Sequence, residues 1–326
     1  MKAYQYENAK DGLLLQDIPI PEPAANEVQI RVKAAGMCHS DCHIVGGTGD
    51  AWLLKRPITL GHEVAGIITK VGPNITGYQP GDRVAVSQIC HPVEERIWTL
   101  GIGLGFDGGY AEYAVAPISR LRHIPEGVTF AQAAVATDAL ATSYHAVVVE
   151  AEAKSGRSIG IIGLGGLGMS GLAFAVLQGA TVYGIDIAKA KLEEAKGLGA
   201  SECFESLEEA NDVVFDVIVD FAGTGATTVA ALSSVKEGGK VVVVGLASPT
   251  IPVPANILIL RTVTLVGSLG ASAEDLDQVL KYLQRGAIDP SLIEVPFHEI
   301  PASIDILAKG TDAKGRFWAD PSKLCL

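Results

Sequence analysis

The sequence has no long apolar run and nothing that resembles an export signal. No window approaches the roughly 20 uninterrupted apolar residues that span a bilayer. The first stretch, MKAYQYENAKDG, has no apolar core of the length that a secretory signal needs. These absences predict a protein without a membrane span, and we expect it to be cytoplasmic.

Positive charge is also scarce. The chain has 25 Lys and Arg residues against 37 Asp and Glu residues, which gives a formal net charge of -12. A field of this sign repels phosphate, so the composition argues against nucleic acid and anionic membranes as partners. The expected partner is a small molecule that is held in a local site.

Cysteine is rare, and its placement argues against a disulfide framework. The five cysteines are an odd number, spread along the chain at positions 38, 42, 90, 203 and 325. A disulfide-stabilised secreted domain would carry a denser set. Each of these residues is therefore interpreted as a ligand or as a buried thiol.

With 326 residues, the chain is long enough for two domains of ordinary size, and since 48% of its residues are hydrophobic, each domain can have its own core. Up to about Ala146, short β-branched runs such as EVQIRVKAAG are broken by Pro and Gly, which predicts an antiparallel, barrel-like domain. From Ser158, apolar runs alternate with helical stretches, which is typical of a parallel sheet covered on both faces. The sequence therefore predicts an α/β fold, with a doubly wound parallel sheet over 147–286 and a barrel-like domain formed by 1–146 and 287–326.

The segment GLGGLG, from Gly163 to Gly168, fits the dinucleotide-binding pattern GxGxxG. The pattern often arises by chance, but here it ends a predicted strand and opens a predicted helix. In such a unit Gly163 makes the tight turn, Gly165 lets the backbone approach a pyrophosphate, and Gly168 lets helix and strand pack closely. Gly166 and Leu167 belong to the helix N-terminus that receives the pyrophosphate. The alternative interpretation is a glycine-rich turn without a ligand.

Asp186, which lies 18 residues after Gly168, indicates which dinucleotide is bound. A carboxylate at the end of the second strand accepts hydrogen bonds from the adenosine ribose and repels a 2′-phosphate, so NAD is expected. Lys191 is expected to reach the same ribose. A carboxylate that only caps the strand end is the alternative for Asp186.

The stretch AAGMCHSDCHIVGG places two thiols, two imidazoles, a hydroxyl and a carboxylate in consecutive positions, Cys38 to His43. A metal site, a redox pair and a polar turn are all consistent with this local pattern. Zinc prefers thiolate and imidazole but needs three or four ligands, which this stretch alone cannot supply. The segment GHE, at Gly61 to Glu63, offers a further imidazole and a carboxylate.

Together these segments resemble the zinc-dependent medium-chain alcohol dehydrogenases. The resemblance runs along nearly the whole chain, in GMCHSDCH, LGHEVAGIITKVGPNITGYQPGDRV, DGGYAEY, TDALATSYHAV, GLGGLG and KGRF. It implies a GroES-like catalytic domain beside a Rossmann domain, with NAD and zinc as cofactors. It also implies an alcohol or carbonyl compound as substrate, and a homodimer or homotetramer.

The resemblance assigns Cys38 and His62 as zinc ligands, with Glu63 as a nearby or exchangeable ligand. Many relatives use a cysteine as the third fixed ligand, and the matching position here is Asp138. A core histidine with ordinary partners is the alternative for His62 taken alone. The presence of Cys38, Glu63 and Asp138 favours the metal site.

The resemblance also implies a mechanism in which zinc acts as a Lewis acid on the substrate oxygen while hydride passes between substrate and nicotinamide. Ser40 accepts the alcohol proton, and His43 lies at the solvent end of a relay through the nicotinamide ribose. Asp41 is expected to hydrogen-bond the second nitrogen of His62 and so fix the ring. Cys42 matches no family role and is interpreted as a buried thiol.

Further cofactor contacts are implied by the same resemblance. Thr142 is expected to contact the nicotinamide, and Arg316 the pyrophosphate. The backbone at Val244, Gly245 and Leu246, together with Ser268, is expected to meet the carboxamide.

The chain departs from the family between Gln88 and Gly109. Most zinc-containing relatives carry four closely spaced cysteines there, which bind a second, structural zinc, whereas this segment holds Cys90 alone. Since structural zinc needs four protein ligands, we expect one catalytic zinc per chain.

Two other functions remain open at this point. One is a zinc-free, NADPH-dependent double-bond or quinone reductase on the same scaffold. The other is a non-catalytic, redox-responsive binding protein. The ligands, the relay and the cofactor acid together favour the dehydrogenase.

Overall fold

The computed structural model describes residues 1–310 and 315–323. Lys314 of the KGRF motif and Cys325 lie outside the described residues. The chain divides into two compact units: unit 1 is Met1–Asp138 with Ala271–Leu326, and unit 2 is Ala139–Gly270.

The strands, numbered in chain order, are β1 (Lys2–Tyr6), β2 (Leu13–Asp17), β3 (Glu27–Gly36), β4 (Ile58–Thr59), β5 (Glu63–Val71), β6 (Arg83–Val86), β7 (Ile89–His91), β8 (Tyr113–Pro117), β9 (Leu121–His123), β10 (Ser158–Ile162), β11 (Thr181–Ile185), β12 (Glu202–Phe204), β13 (Phe215–Asp220), β14 (Val235–Val243), β15 (Thr264–Gly267), β16 (Ala271–Ser272), β17 (Leu292–Glu294) and β18 (Arg316–Ala319). The α-helices are α1 (His39–Val45), α2 (Phe130–Val135), α3 (Ala141–Tyr144), α4 (Gly166–Leu177), α5 (Lys189–Gly197), α6 (Ala226–Ser234), α7 (Ala255–Leu260), α8 (Ala273–Gln284) and α9 (Ile300–Ala308). Two π-helical segments, Ala136–Leu140 and His145–Glu150, flank α3.

The main sheet of unit 1 has seven strands in the order β17-β18-β3-β5-β6-β9, with β8 also paired to β3. Its pairings are antiparallel except for β17 with β18. In β3, Val28, Ile30 and Val32 are fully buried at alternate positions, because one face of a strand points into the core. The predicted antiparallel domain is confirmed.

Unit 2 is built on a six-stranded sheet in the order β12-β11-β10-β13-β14-β15, in which every pair is parallel. Neighbouring residues of β10 enter different hydrophobic clusters: Ile161 joins one and Ile162 the other. Successive side chains of a strand point to opposite faces, so both faces of the sheet are covered. The predicted parallel, doubly wound architecture is confirmed.

The unit boundaries lie at 138/139 and 270/271, whereas the sequence analysis placed the domain boundaries at 146/147 and 286/287. Ala146 belongs to unit 2 because it is buried in that unit's core. At the other boundary, β16 pairs with β7 of unit 1. The helix that follows it, α8, places Asp277 Oδ1 3.3 Å from Nε of Arg122. The apolar face of α8 predicts a helix but does not indicate which unit it joins.

Among residues 1–310 and 315–323, no helix combines the length and the apolar character needed to cross a bilayer.

Candidate active site

Four side chains from three separate segments converge in unit 1. The potential ligand atoms of Cys38, His62, Glu63 and Asp138 all lie within 4.8 Å of one another. Cys38 is the N-cap of α1, His62 immediately precedes β5, and Glu63 begins that strand. Asp138 sits in the first π-helical segment. The structure thus brings together the residues that the sequence analysis assigned to zinc.

His62 is the centre of this cluster and is buried. Its Nε2 lies 3.4 Å from Oδ2 of Asp138 and 3.3 Å from Oγ of Ser40. Its Nδ1 lies 3.4 Å from Oδ1 of Asp41. Burial lowers the pKa of His62, but the adjacent carboxylates outweigh this effect and hold it well above its ordinary value. Because a metal binds neutral imidazole, a proton and a metal ion would compete for His62.

Asp41 is tied to the start of its own helix. Its Oδ2 accepts a hydrogen bond of 2.9 Å from the backbone N–H of Cys38, which forms half of a capping box. The carboxylate therefore touches one candidate ligand through the backbone and faces another, His62, through its second oxygen.

Glu63 is fully buried and paired with the guanidinium of Arg316. Burial raises the pKa of the Glu63 carboxyl, and the positive charge of Arg316 opposes that rise. Gly36 lies directly opposite Glu63 in the pairing of β3 with β5. A Cβ at position 36 would lie 1.9 Å from Oε2 of Glu63, so glycine is required there.

Two features of the cluster fit a zinc ion: its set of donor atoms and a buried oxygen of Glu63. A thiol, an imidazole and carboxylates are the donors that zinc prefers. Moreover, Oε2 of Glu63 is buried with no hydrogen-bond partner among the described residues, which is costly unless a ligand satisfies it. Among residues 1–310 and 315–323, no second group of this kind occurs.

Ser40 and His43 are one turn apart on α1, so they share a face of the helix. Nδ1 of His43 lies 3.2 Å from Oγ1 of Thr48, and its ring meets Trp52 edge-on. His43 is partly exposed, whereas the hydroxyl of Ser40 contacts His62. The helix thus leads from the candidate metal cluster toward solvent.

In unit 2, the three glycines of GLGGLG occupy different environments. Gly163 has a φ of 81°, which favours glycine. A Cβ at Gly168 would lie 1.9 Å from the carbonyl oxygen of Gly163. A Cβ at Gly165 meets no heavy atom within 4 Å, and Gly165 is the N-cap of α4 without a side-chain cap. The start of α4, at Gly166 and Leu167, is therefore not capped by the side chain of its N-cap residue, as is typical of a helix N-terminus that receives a pyrophosphate.

Asp186 follows β11 and accepts two backbone hydrogen bonds. Its Oδ2 accepts from Leu164 N–H at 2.7 Å and its Oδ1 from Ala188 N–H at 2.8 Å. The carboxylate therefore caps the strand end, but its remaining lone pairs leave room for ribose hydroxyls. Nζ of Lys191 lies 3.4 Å from Oε2 of Glu194.

Two family descriptions match the chain. "Alcohol dehydrogenase GroES-like domain" matches residues 24–126, and "Zinc-binding dehydrogenase" matches residues 166–285. An alcohol dehydrogenase of Geobacillus stearothermophilus is 32% identical over 333 residues, which cover 95% of this chain and 97% of that protein. The chain belongs to the zinc-type medium-chain alcohol dehydrogenase family. The predicted family is confirmed, and the chain is an oxidoreductase of the alcohol dehydrogenase type.

Two further relatives agree with this assignment. The NAD-dependent alcohol dehydrogenase of Sulfurisphaera tokodaii is 31% identical over 340 residues, which cover 94% of this chain and 96% of that protein. The acetophenone reductase of Geotrichum candidum, solved in complex with NAD, is 30% identical with a TM-score of 0.89. That alignment covers 99% of this chain and 98% of the reductase.

Within this dehydrogenase, Arg316 has a contact that the sequence analysis did not anticipate. It was expected at the pyrophosphate, whereas its guanidinium pairs with Glu63 in the candidate metal cluster of unit 1. The contact with pyrophosphate stays a prediction. The pair spans 253 positions of sequence, and no local pattern indicates a pairing over such a distance.

The residues that were expected to contact the carboxamide lie after two strands of unit 2. The N–H groups of Val244 and Gly245 donate to the carbonyl of Asp220, and that of Ser268 donates to Val243. A backbone contact from Val244, Gly245 or Ser268 would therefore use a carbonyl. Leu246 is exposed, and Thr142 is buried in α3.

Asp220, a fully buried carboxylate at the end of β13, is not among the predicted site residues. It accepts hydrogen bonds from the N–H groups of Ala222 and Gly223 and from the hydroxyls of Thr227 and Thr228, at 2.7 to 3.0 Å. It therefore organises the loop after β13 through its side chain and the loop after β14 through its carbonyl. An acid before a glycine and two threonines is a turn signal that predicts the first of these roles.

The segment between Gln88 and Gly109, where the chain departs from the family and which we call the rebuilt segment, is held by side-chain hydrogen bonds to backbone carbonyls. Nε2 of Gln88 donates to the carbonyl of Ile102 at 2.9 Å, and Nε of Arg96 donates to that of Cys90 at 3.1 Å. Cys90 is half-buried, and burial raises the pKa of its thiol. The segment thus has no described group of zinc ligands and is stabilised by hydrogen bonds instead.

Proposed function

We propose that this dehydrogenase is NAD-dependent and uses one zinc ion per chain to interconvert an alcohol with its aldehyde or ketone. The observation that carries the proposal is the convergence of Cys38, His62, Glu63 and Asp138 within 4.8 Å. Bound zinc would supply Lewis acidity toward the substrate oxygen, and bound NAD would accept or return the hydride.

Cys38, His62 and Asp138 would hold the metal, with Glu63 as the nearby or exchangeable ligand. Asp138 stands where many relatives have cysteine. A carboxylate donates less charge to zinc than a thiolate does, so this ligand set favours a more electrophilic ion. Asp41 orients the ring of His62 from its other nitrogen, an outer contact of the kind that tunes metal affinity.

Ser40 is the proton acceptor in this proposal. Its hydroxyl lies beside His62, where it can accept a proton from an alcohol held at the metal cluster. As it accepts, the Ser40 hydroxyl would release its own proton, and His43, one turn along α1 and partly exposed, would pass that released proton to solvent.

Asp186 supports NAD over NADP. Its carboxylate stands at the end of β11 with lone pairs available for ribose hydroxyls, and its charge repels a 2′-phosphate. The open space at Gly165 and the uncapped start of α4 support binding of the pyrophosphate.

We further propose that the chain forms a homodimer or homotetramer through an exposed part of unit 2. β15 is an edge strand of the six-stranded sheet, and unpaired edges readily add a strand from another chain. Ile259 and Leu260 of α7 are 72% and 77% exposed. Light scattering after gel filtration would detect the assembly, and a monomer would contradict it.

The function is tested by metal analysis and by NADH absorbance with a panel of primary, secondary and aromatic alcohols. We expect one zinc per chain and turnover with NAD. Removal of zinc should abolish turnover without unfolding, since the core of unit 1 is apolar. Two tightly held zinc ions would show that the rebuilt segment binds metal. A zinc-free protein that reduces enones or quinones with NADPH would overturn the proposal.

Two cysteine variants provide a matched comparison. Cys38→Ser should lose zinc and turnover while it still binds NADH. Cys42→Ser should keep both, because Sγ of Cys42 donates to the carbonyl of Ile304 at 3.4 Å and is absent from the metal cluster. Full activity in both variants would contradict the role of Cys38.

A further inference from the structure

Tyr110 ends the DGGY segment and is fully buried in unit 1. Its hydroxyl donates to Oδ2 of Asp41 at 2.7 Å. The carbonyl oxygen of Gly36 lies 3.3 Å from the hydroxyl oxygen of Tyr110. A hydroxyl has one hydrogen to donate. The shorter contact, to a carboxylate, is the stronger hydrogen bond.

Tyr110 also contacts the segment that leads into His62. Its backbone N–H donates to the carbonyl of Leu60 at 2.9 Å. Gly61, with a φ of 94°, lies against the ring, and a Cβ there would be 2.6 Å from a ring carbon. The residue before His62 is therefore fitted to the face of Tyr110, because only glycine has both the conformation and the space.

The two carboxylate oxygens of Asp41 contact different partners. Oδ2 accepts from Tyr110 and from the N–H of Cys38, while Oδ1 faces Nδ1 of His62. Two donors thus fix one edge of the carboxylate and leave the other edge for the imidazole. Burial raises the pKa of the Tyr110 phenol well above its ordinary value, so the donor stays protonated.

We propose that Tyr110 is a positioning residue of the metal site: its hydroxyl fixes Asp41, and Asp41 in turn holds His62 and the start of α1 for metal binding. The proposal rests on the zinc site proposed above. It extends the contacts of the site by one residue beyond Asp41. Loss of the hydroxyl leaves every candidate ligand in place but removes one of the two donors that fix Oδ2 of Asp41, so the carboxylate is held less firmly.

The test compares Tyr110→Phe with Tyr6→Phe in zinc-loaded protein. Tyr6 is a matched control, since it is also fully buried in unit 1 and its hydroxyl donates to Oδ1 of Asp50 at 2.6 Å. Both variants lose one hydroxyl and one hydrogen bond to an aspartate. Of the two tyrosines, only Tyr110 contacts Asp41.

Zinc release to a chromogenic chelator is the readout, with thermal unfolding measured alongside. Contacts directly behind a ligand are worth roughly 10- to 100-fold in metal affinity, and Tyr110 acts one residue further out, so we expect release faster by about 3- to 10-fold. Tyr6→Phe should release zinc at the wild-type rate, although both variants should lower the melting temperature.

The outcomes separate the two proposals. Equal release from Tyr110→Phe and wild type overturns the positioning role, as does equally accelerated release from both variants. Wild-type protein that retains no zinc overturns the proposed zinc site instead. In an Asp41→Asn background, Tyr110→Phe should have no further effect on release. An additive effect would show that Tyr110 does not act through Asp41.

Discussion

Gly165→Ala should separate cofactor binding from folding. An added Cβ at this position meets no heavy atom within 4 Å, and the backbone, at φ −72° and ψ −165°, is open to alanine. Alanine reduces the freedom of the unfolded chain, which stabilises by about 0.4–1 kcal/mol, but it is a poorer N-cap than glycine. The two effects offset each other, so the free energy of unfolding should change by less than about 0.5 kcal/mol.

The same methyl group occupies the space in which a pyrophosphate would approach the start of α4. Loss of one hydrogen bond to a charged group costs about 1.5–3 kcal/mol, which corresponds to roughly 10- to 150-fold in the Kd for NADH. Fluorescence titration with NADH measures the affinity, and thermal unfolding measures the stability. The expected result is a large loss of affinity at an unchanged melting temperature.

Two glycine variants in the same unit complete the experiment. Gly197→Ala, at the end of α5, also meets no heavy atom within 4 Å. It should leave the affinity for NADH unchanged and raise the stability by about 0.4–1 kcal/mol, because no N-cap loss offsets the smaller freedom of the unfolded chain. Gly168→Ala would bring Cβ to 1.9 Å from the carbonyl oxygen of Gly163 and should destabilise the protein by about 1–3 kcal/mol. Wild-type affinity for NADH in Gly165→Ala would refute the placement of the pyrophosphate. A large loss of stability there would refute the reasoning from open space.

Four further predictions concern single residues. Asp186→Ala should narrow the preference for NAD over NADP, measured as the ratio of kcat/KM values; equal values in the unmodified enzyme would contradict the role of Asp186. Ser40→Ala should slow alcohol oxidation by roughly 10²-fold or more, and an unchanged rate across the pH range would remove Ser40 from the mechanism. Asp220→Asn should weaken binding of NADH but not of ADP-ribose, because the loop that Asp220 organises is expected to meet the nicotinamide; equal losses would argue against this. Cys42 is half-buried, and this burial raises the pKa of its thiol to about 12, so little thiolate forms at pH 8; mass spectrometry should find Cys42 unalkylated in native protein at that pH, and rapid labelling would contradict the raised pKa.

The sequence predicts the elements of this protein wherever a periodic pattern coincides with a turn signal. EVQIRVKAAG corresponds to β3 over its full length, because alternating burial and a closing glycine are both visible locally. The start of β14 shows the opposite case. The segment ATTVAALSSVKEGG indicates a helix, yet α6 ends at Ser234 and β14 begins at Val235. The pairing of β14 with β13 sets that boundary, and the sequence of the segment alone does not indicate this pairing.

The candidate metal ligands are predicted by resemblance, whereas the contacts around them depend on the fold. The partnership of Arg316 with Glu63 and that of Tyr110 with Asp41 join residues far apart in sequence. Neither arginine nor tyrosine carries a local pattern that indicates its partner. Gly36 is similar, since its need for glycine arises from the register that places Glu63 opposite it.

The division of the chain into units has a consequence for biosynthesis. Unit 2 is one continuous stretch, Ala139–Gly270, whereas unit 1 also needs residues that are translated after it. Domains tend to fold as units while the chain emerges from the ribosome, so unit 2 can complete its sheet first. β18 must then reach β3, and it brings Arg316 to Glu63. Translation thus supplies the positive charge that pairs with the buried Glu63 only after the whole of unit 2 has been made.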